Sequence, residues 1–214
     1  MKLGVGNSAH GRKKVLTAGG RVGQWWTDEA TADAFIAWLG IAEGDRVLDA
    51  GAGMGALSLA AARVGAVVTA LEVDRRLAQL LERDHGHELT VVHRDFLDDD
   101  VEPRQLMVPG ADARPWDWVI GNYPWEGKLP ELFMLRGVAI GRRTGWIGPL
   151  NLVAGGTRSA FWTSCPIAPV RAKALPRRPP FKGRKGGMRD VMFIEAIART
   201  RATRTPARLE LEVG

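Results

Sequence analysis

Cysteine is almost absent: Cys165 stands alone among 214 residues. A disulfide framework needs pairs, and a zinc or iron–sulfur centre built on several cysteines needs a cluster, so both are excluded. No apolar run approaches the roughly 18 residues that cross a bilayer. The opening stretch, Met1 to Lys14, lacks the apolar core of a secretory signal, and there are no internal repeats. The length suits one α/β domain and falls short of two ordinary ones. These absences predict a cytoplasmic protein with no membrane partner and no metal.

Charge is present but unevenly placed. The net +6 divides into a basic start, an acidic middle and a basic end. Residues 1–21 hold five Lys/Arg and no acid; residues 22–170 hold 13 basic and 20 acidic side chains; residues 171–208 hold 12 basic side chains against Asp190 and Glu195. An acidic globule between two basic segments suits a polyanionic partner, although a basic tail can also serve solubility alone. The polar, Gly-rich residues 1–22 read as a basic N-terminal arm, and residues 23–214 as the domain proper.

Periodicity supplies the fold class. From Thr27, which can cap a helix followed by Asp28 and Glu29, the residues Ala32, Phe35, Ile36 and Leu39 form one apolar stripe that ends at Gly40. Arg46–Ala50 reads as a buried strand, followed by a glycine turn and a helix over 56–63. A strand over 67–71, a helix over 75–84 with Leu77, Leu80 and Leu81 inward, and strands over 89–92 and 118–120 come next. Further strands are expected over 145–152, 170–175 and 191–197. Strands alternating with helices predict an α/β fold: one domain on a doubly wound, mostly parallel sheet of seven strands. The Pro/Gly/Arg/Lys-rich residues 176–190 read as an exposed basic loop.

The turn Asp49-Ala50-Gly51-Ala52-Gly53-Met54-Gly55 lies where such a sheet binds its ligand. Its glycines alone also fit a dinucleotide site. Two acids sharpen the reading. Asp49 precedes the glycines, where a cationic methionine group is welcome and a pyrophosphate is not; a helix-capping acid is the plainer alternative. Glu72 ends the next strand, where it can accept both ribose hydroxyls. The pair favours S-adenosylmethionine.

Carrying these residues, the chain resembles the class I S-adenosylmethionine-dependent methyltransferases, whose Rossmann-like fold is then expected. The resemblance implies cofactor contacts from Asp49, Gly51, Gly53, Glu72 and Val73. It also implies adenine contacts from Asp95, at the amino group, and Phe96, against the ring face; core packing is the alternative for Phe96. The segment Gly23-Gln24-Trp25-Trp26-Thr27-Asp28 resembles the upstream cofactor motif of the adenine-N6 enzymes, placing Gln24, Trp26 and Thr27 at the methionine end. A hydrophobic staple is the alternative for the tryptophans.

Asn122-Tyr123-Pro124-Trp125 follows the fourth strand and resembles the amino-methyltransferase signature, in its Asn-x-Pro-aromatic form. The residue types suit the chemistry. An exocyclic amino nitrogen is a poor nucleophile because its lone pair is delocalised into the ring. The Asn122 side-chain oxygen and the Tyr123 or Pro124 carbonyl can accept its two N–H bonds, while proline fixes the backbone. Trp125 would stack on a base flipped from its helix, and Asn122 would also border the cofactor. Asn rather than Ser at the first position disfavours cytosine N4.

Tyr123 departs from the first proline of the signature, as the ribosomal-RNA adenine dimethylases do with Leu or Ile. Those enzymes carry a helical domain after the core, and the 89 residues after Trp125 leave no room for one here. The tail Arg178-Pro179-Pro180-Phe181-Lys182-Gly183 resembles small phage-type DNA adenine methyltransferases instead. Arg178, Lys182, Arg184, Lys185 and Arg189 would then contact phosphates, against the alternative of a solvated loop. The expectation is therefore adenine-N6 methylation of DNA, with a helper protein as one source of sequence specificity. RNA is the alternative acceptor; a non-catalytic nucleic-acid-binding module and a protein glutamine methyltransferase are further ones. Histidines 85, 87 and 93 read as surface residues.

Overall fold

The computed structural model describes residues 27–98, 115–125, 127–152, 161–162, 165–175 and 190–199, with the backbone of 210–213. The arm 1–22, Gln24, the tryptophans 25 and 26, and the basic loop up to Arg189 lie outside the described residues.

Helix α1 (Glu29–Leu39) buries Ala32, Phe35, Ile36 and Leu39, the expected stripe, and stops at Gly40 with φ +76°. Its cap is Asp28 rather than Thr27: the Asp28 carboxylate accepts from the Thr31 backbone N–H at 3.0 Å and from the Thr31 hydroxyl at 2.6 Å. An ionised cap also faces the positive end of the helix dipole. Strand β1 (Arg46–Ala50) leads through the glycine turn into α2 (Ala56–Arg63) and then β2 (Val67–Glu72). Helix α3 (Arg75–His85) is capped by Asp74 and buries Ala78 and Leu81, with Leu77 and Leu80 only half-buried. Strands β3 (Thr90–His93) and β4 (Trp116–Gly121) complete this half.

Helix α4 (Leu129–Ile140) was not expected from the sequence. It buries Pro130, Phe133, Met134, Gly137 and Val138, a helical spacing obscured by a mid-helix glycine and by Lys128 at the capping position, which makes no side-chain cap bond. Strand β5 spans Gly141–Pro149, starting four residues before the expected Gly145. The expected strand end at Leu152 is instead a 3-10 turn, Leu150–Leu152. Strands β6 (Ile167–Ala174), β7 (Val191–Ala198) and β8 (Glu210–Val213) follow.

The sheet order is β3-β2-β1-β4-β5-β7-β6-β8. Strands β1 to β5 pair in parallel, β7 is antiparallel to β5 and β6, and β8 runs parallel to β6. The doubly wound, mostly parallel sheet is as expected, with a short eighth strand added at the edge. A core lies on each face. One gathers α1, α2 and Leu81 over Val47, Trp118 and Ile120; the other gathers α4 over Leu48, Val119 and Trp146. Among the described residues no helix is long and apolar enough to cross a membrane.

Candidate active site

The sheet order reverses at β1, so the carboxyl ends of β1, β2 and β4 open onto one crevice. At the end of β1, Gly51, Gly53 and Gly55 adopt φ of +113°, +57° and +85°, which side-chain-bearing residues adopt at a cost. The turn is tied to β2: the Gly51 and Ala52 amides both donate to the Leu71 carbonyl at 2.9 Å.

Glu72 completes that tie. Its Oε2 accepts from the Gly53 amide at 2.7 Å and its Oε1 from the Asp74 amide at 2.8 Å. The carboxylate therefore holds the turn in shape, and each oxygen keeps a lone pair for a ligand hydroxyl. Val73, beside it, is exposed at the lip, as is Met54 in the turn.

Asp49 is 1% exposed. Its Oδ2 accepts from the Ser58 hydroxyl of α2 at 2.7 Å, and its Oδ1 is buried without a hydrogen bond. Burial pushes its carboxyl up to about 7, against the Ser58 bond and helped by the Glu72 charge. This is not a helix-capping acid. Ser58 was missed from sequence, although a serine on the buried face of an Ala/Leu helix is a signal that it serves a polar partner.

Tyr123 keeps the alternation of β4 and turns into the α4 core, whereas Trp125, two residues on, crosses to the α1 core, so the strand alternation breaks between them. The Tyr123 hydroxyl accepts from the Trp146 indole N–H at 2.6 Å, and its ring lies 4.4 Å from Phe133. A Cβ on Gly121 would run into the Tyr123 ring. Trp125 is 6% exposed, so its expected place against a flipped base is corrected: in this structure it anchors the segment. Asn122 and Pro124 stay half-buried at the edge, and the Asn122 Nδ2 donates to the Thr27 hydroxyl at 3.0 Å.

Phe96 is likewise buried, 5.2 Å from the Phe133 ring and beneath the Arg136 guanidinium. Core packing therefore describes it, and an adenine face against its ring is corrected. Asp95, half-buried beside it, accepts from the Leu97 amide at 2.9 Å. His87 and His93 are exposed and His85 is half-buried. Gln24, Trp26, Arg178, Lys182, Arg184, Lys185 and Arg189 lie outside the described residues.

The sequence profile of the ribosomal RNA adenine dimethylase family matches residues 23–123. A ribosomal RNA small subunit methyltransferase A from Chlorobaculum parvum is 41% identical over 96 residues, 45% of this chain and 32% of that protein. The chain spans about a third of the length of the curated relatives it matches. Among solved structures, a protein described as an RNA methyltransferase from Pyrococcus horikoshii superposes with TM-score 0.62 at 21% identity, over 84% of this chain and 89% of that one. A type I restriction-modification methyltransferase subunit from Streptococcus thermophilus gives 0.61 at 20%, over 85% and 46%. At these identities the structures speak for the fold. Over residues 23–123 the chain is thus similar to S-adenosylmethionine-dependent adenine methyltransferases.

Proposed function

We propose that this chain transfers a methyl group from S-adenosylmethionine to the N6 amino group of adenine in RNA. The observation that carries the reading is Asn122, set at the carboxyl end of β4 within the stretch that matches the ribosomal RNA adenine dimethylases. The expectation of DNA rested on the basic tail and on chain length. The curated relatives are named for ribosomal RNA, and the same basic residues suit RNA phosphates equally.

The residues fit the cofactor. The orphaned Asp49 Oδ1 suits a cation, the glycine turn admits close backbone approach, and Glu72 retains acceptor capacity. When bound, S-adenosylmethionine supplies an electrophilic methyl group on a sulfonium. Asp49 would hold the methionine cation, Gly51 and Gly53 the chain, Glu72 the ribose, Val73 the lip beside the adenosine, and Asp95 its amino group. Gln24, Trp26 and Thr27 would close the methionine end.

Asn122 Oδ1, with the Tyr123 or Pro124 carbonyl, would accept the two N–H bonds of the target amino group. That favours a pyramidal nitrogen with a more available lone pair. The work of the chain is alignment and electrostatics. Tyr123 and Trp125 contribute by pinning the backbone from both cores, so Asn122 has little freedom to drift. Arg178, Lys182, Arg184, Lys185 and Arg189 would hold phosphates without reading sequence.

The test is incubation with methyl-labelled cofactor and separate pools of ribosomal RNA and duplex DNA. Label is expected on adenine N6 of the RNA. Label on DNA alone would return the acceptor to DNA, and label on neither would remove the reading.

A further inference from the structure

We infer that Thr27 is a positioning residue for methyl transfer, its hydroxyl fixing which way round the Asn122 amide lies. The inference rests on Asn122 being the acceptor of the target amino protons. Thr27 and Asn122 are 95 residues apart, yet Asn122 Nδ2 donates to Thr27 Oγ1 at 3.0 Å. Thr27 is available for this because Asp28 has taken over capping of α1, with both carboxylate oxygens spent on Thr31.

The chemistry turns on the two ends of a primary amide. They have almost the same shape and opposite hydrogen-bonding character. A hydroxyl can donate or accept, and in this structure Thr27 Oγ1 accepts from the amide nitrogen, which leaves the amide oxygen on the other branch. Reversed, the Asn122 NH2 would face the substrate amino group, donor against donor, and the acceptor would be lost. The mount is firm: the residues just after Thr27 begin a helix whose stripe of Ala32, Phe35, Ile36 and Leu39 is at most 1% exposed.

Thr27→Val removes the hydroxyl while keeping the shape, and Thr27→Ser keeps the hydroxyl. One hydrogen bond of this kind carries up to about a tenfold effect. In Thr27→Val, kcat for RNA should fall about tenfold, by clearly more than cofactor Kd weakens. Thr27→Ser should stay within about threefold of wild type. The Asn122 side-chain NH2 pair, followed by 15N NMR, should shift and exchange faster in the valine variant and not in the serine variant. Wild-type kcat in Thr27→Val, or equal losses in Val and Ser, overturns the inference. So does a Kd loss matching the kcat loss, which would make Thr27 a cofactor contact only. Should the valine variant not fold, Thr27→Ala is put through the same comparison. If wild type methylates no adenine, the functional reading fails, while the NMR signature still decides the Thr27 link.

Discussion

Asp49 and Glu195 are equally buried, each 1% exposed, and the two parts of the sheet that carry them treat them in opposite ways. Glu195 on β7 sits between two guanidiniums. Arg143 of β5 bridges its Oε1, and Arg171 of β6 donates to Oε2 at 2.6 Å. Both cations are further occupied: Arg143 lies 4.2 Å from the Trp118 ring centre and Arg171 4.5 Å from that of Trp38. Arg171 also donates to the Trp38 and Leu39 carbonyls, which are left open at the end of α1. Every charge there has a partner from the chain itself. At the glycine turn, Asp49 has one hydroxyl and an orphaned oxygen. A buried carboxylate is costly unless paired. The antiparallel end spends its charges on holding strands together, whereas the crevice leaves one unpaired, as a site for a cationic ligand requires.

Breaking the paired site should bring the largest loss of stability. Glu195→Ala leaves two facing cations, Arg171 half-buried and Arg143 exposed, and should cost about 2–4 kcal/mol in urea unfolding. Because Arg171 also ends α1, whose start carries Thr27, the cofactor site should loosen with it.

Neutralising the unpaired site should do the reverse. Asp49 ionises near its ordinary value when unfolded, but only near 7 in the folded, cofactor-free protein. Ionisation therefore favours unfolding progressively as pH rises between about 4 and 7, and the penalty is complete above that. Asp49→Asn should stabilise the cofactor-free protein by about 2–4 kcal/mol at pH 8 and negligibly near pH 4.

The same proton sets cofactor binding. A cation prefers ionised Asp49, so Kd should weaken about tenfold from pH 8 to pH 6 by calorimetry, with proton release on binding. In Asp49→Asn, affinity should be lower at pH 8 and that dependence lost. The smallest effect is expected at the anchor: Tyr123→Phe leaves the Trp146 N–H without its acceptor and should cost about 1–2 kcal/mol of stability, with cofactor Kd unchanged.

The cofactor half of this account was legible because its signals are local. The α1 stripe, the Asp49-to-Gly55 turn and the acid at the end of β2 are each written in one short run of residues, although Glu72 reaches Gly53, 19 positions away. The antiparallel half was harder to read. Gly141-Arg142-Arg143 resembles a turn until Arg143 is seen against Trp118 and Glu195, which come from other strands. Likewise Trp125 and Phe96 have the residue type for stacking on a base, and only the packing shows their rings already used. The Thr27–Asn122 bond joins residues 95 apart, a distance no pattern in a single chain reports. Sequence thus located the chemistry, while tertiary contacts separated the residues that would touch ligand from those that hold them.

The central claim, that Asn122 works on an adenine amino group at a separately built cofactor site, is tested most directly by comparing wild type with Asn122→Ala. Labelled cofactor and ribosomal RNA are supplied to both, the nucleosides are separated after digestion, and cofactor Kd is measured on the same samples. The account predicts N6-methylated adenosine from wild type and about a hundredfold less or lower from the variant, with Kd within about threefold. Equal methylation by the variant, or label on a different base, would contradict it.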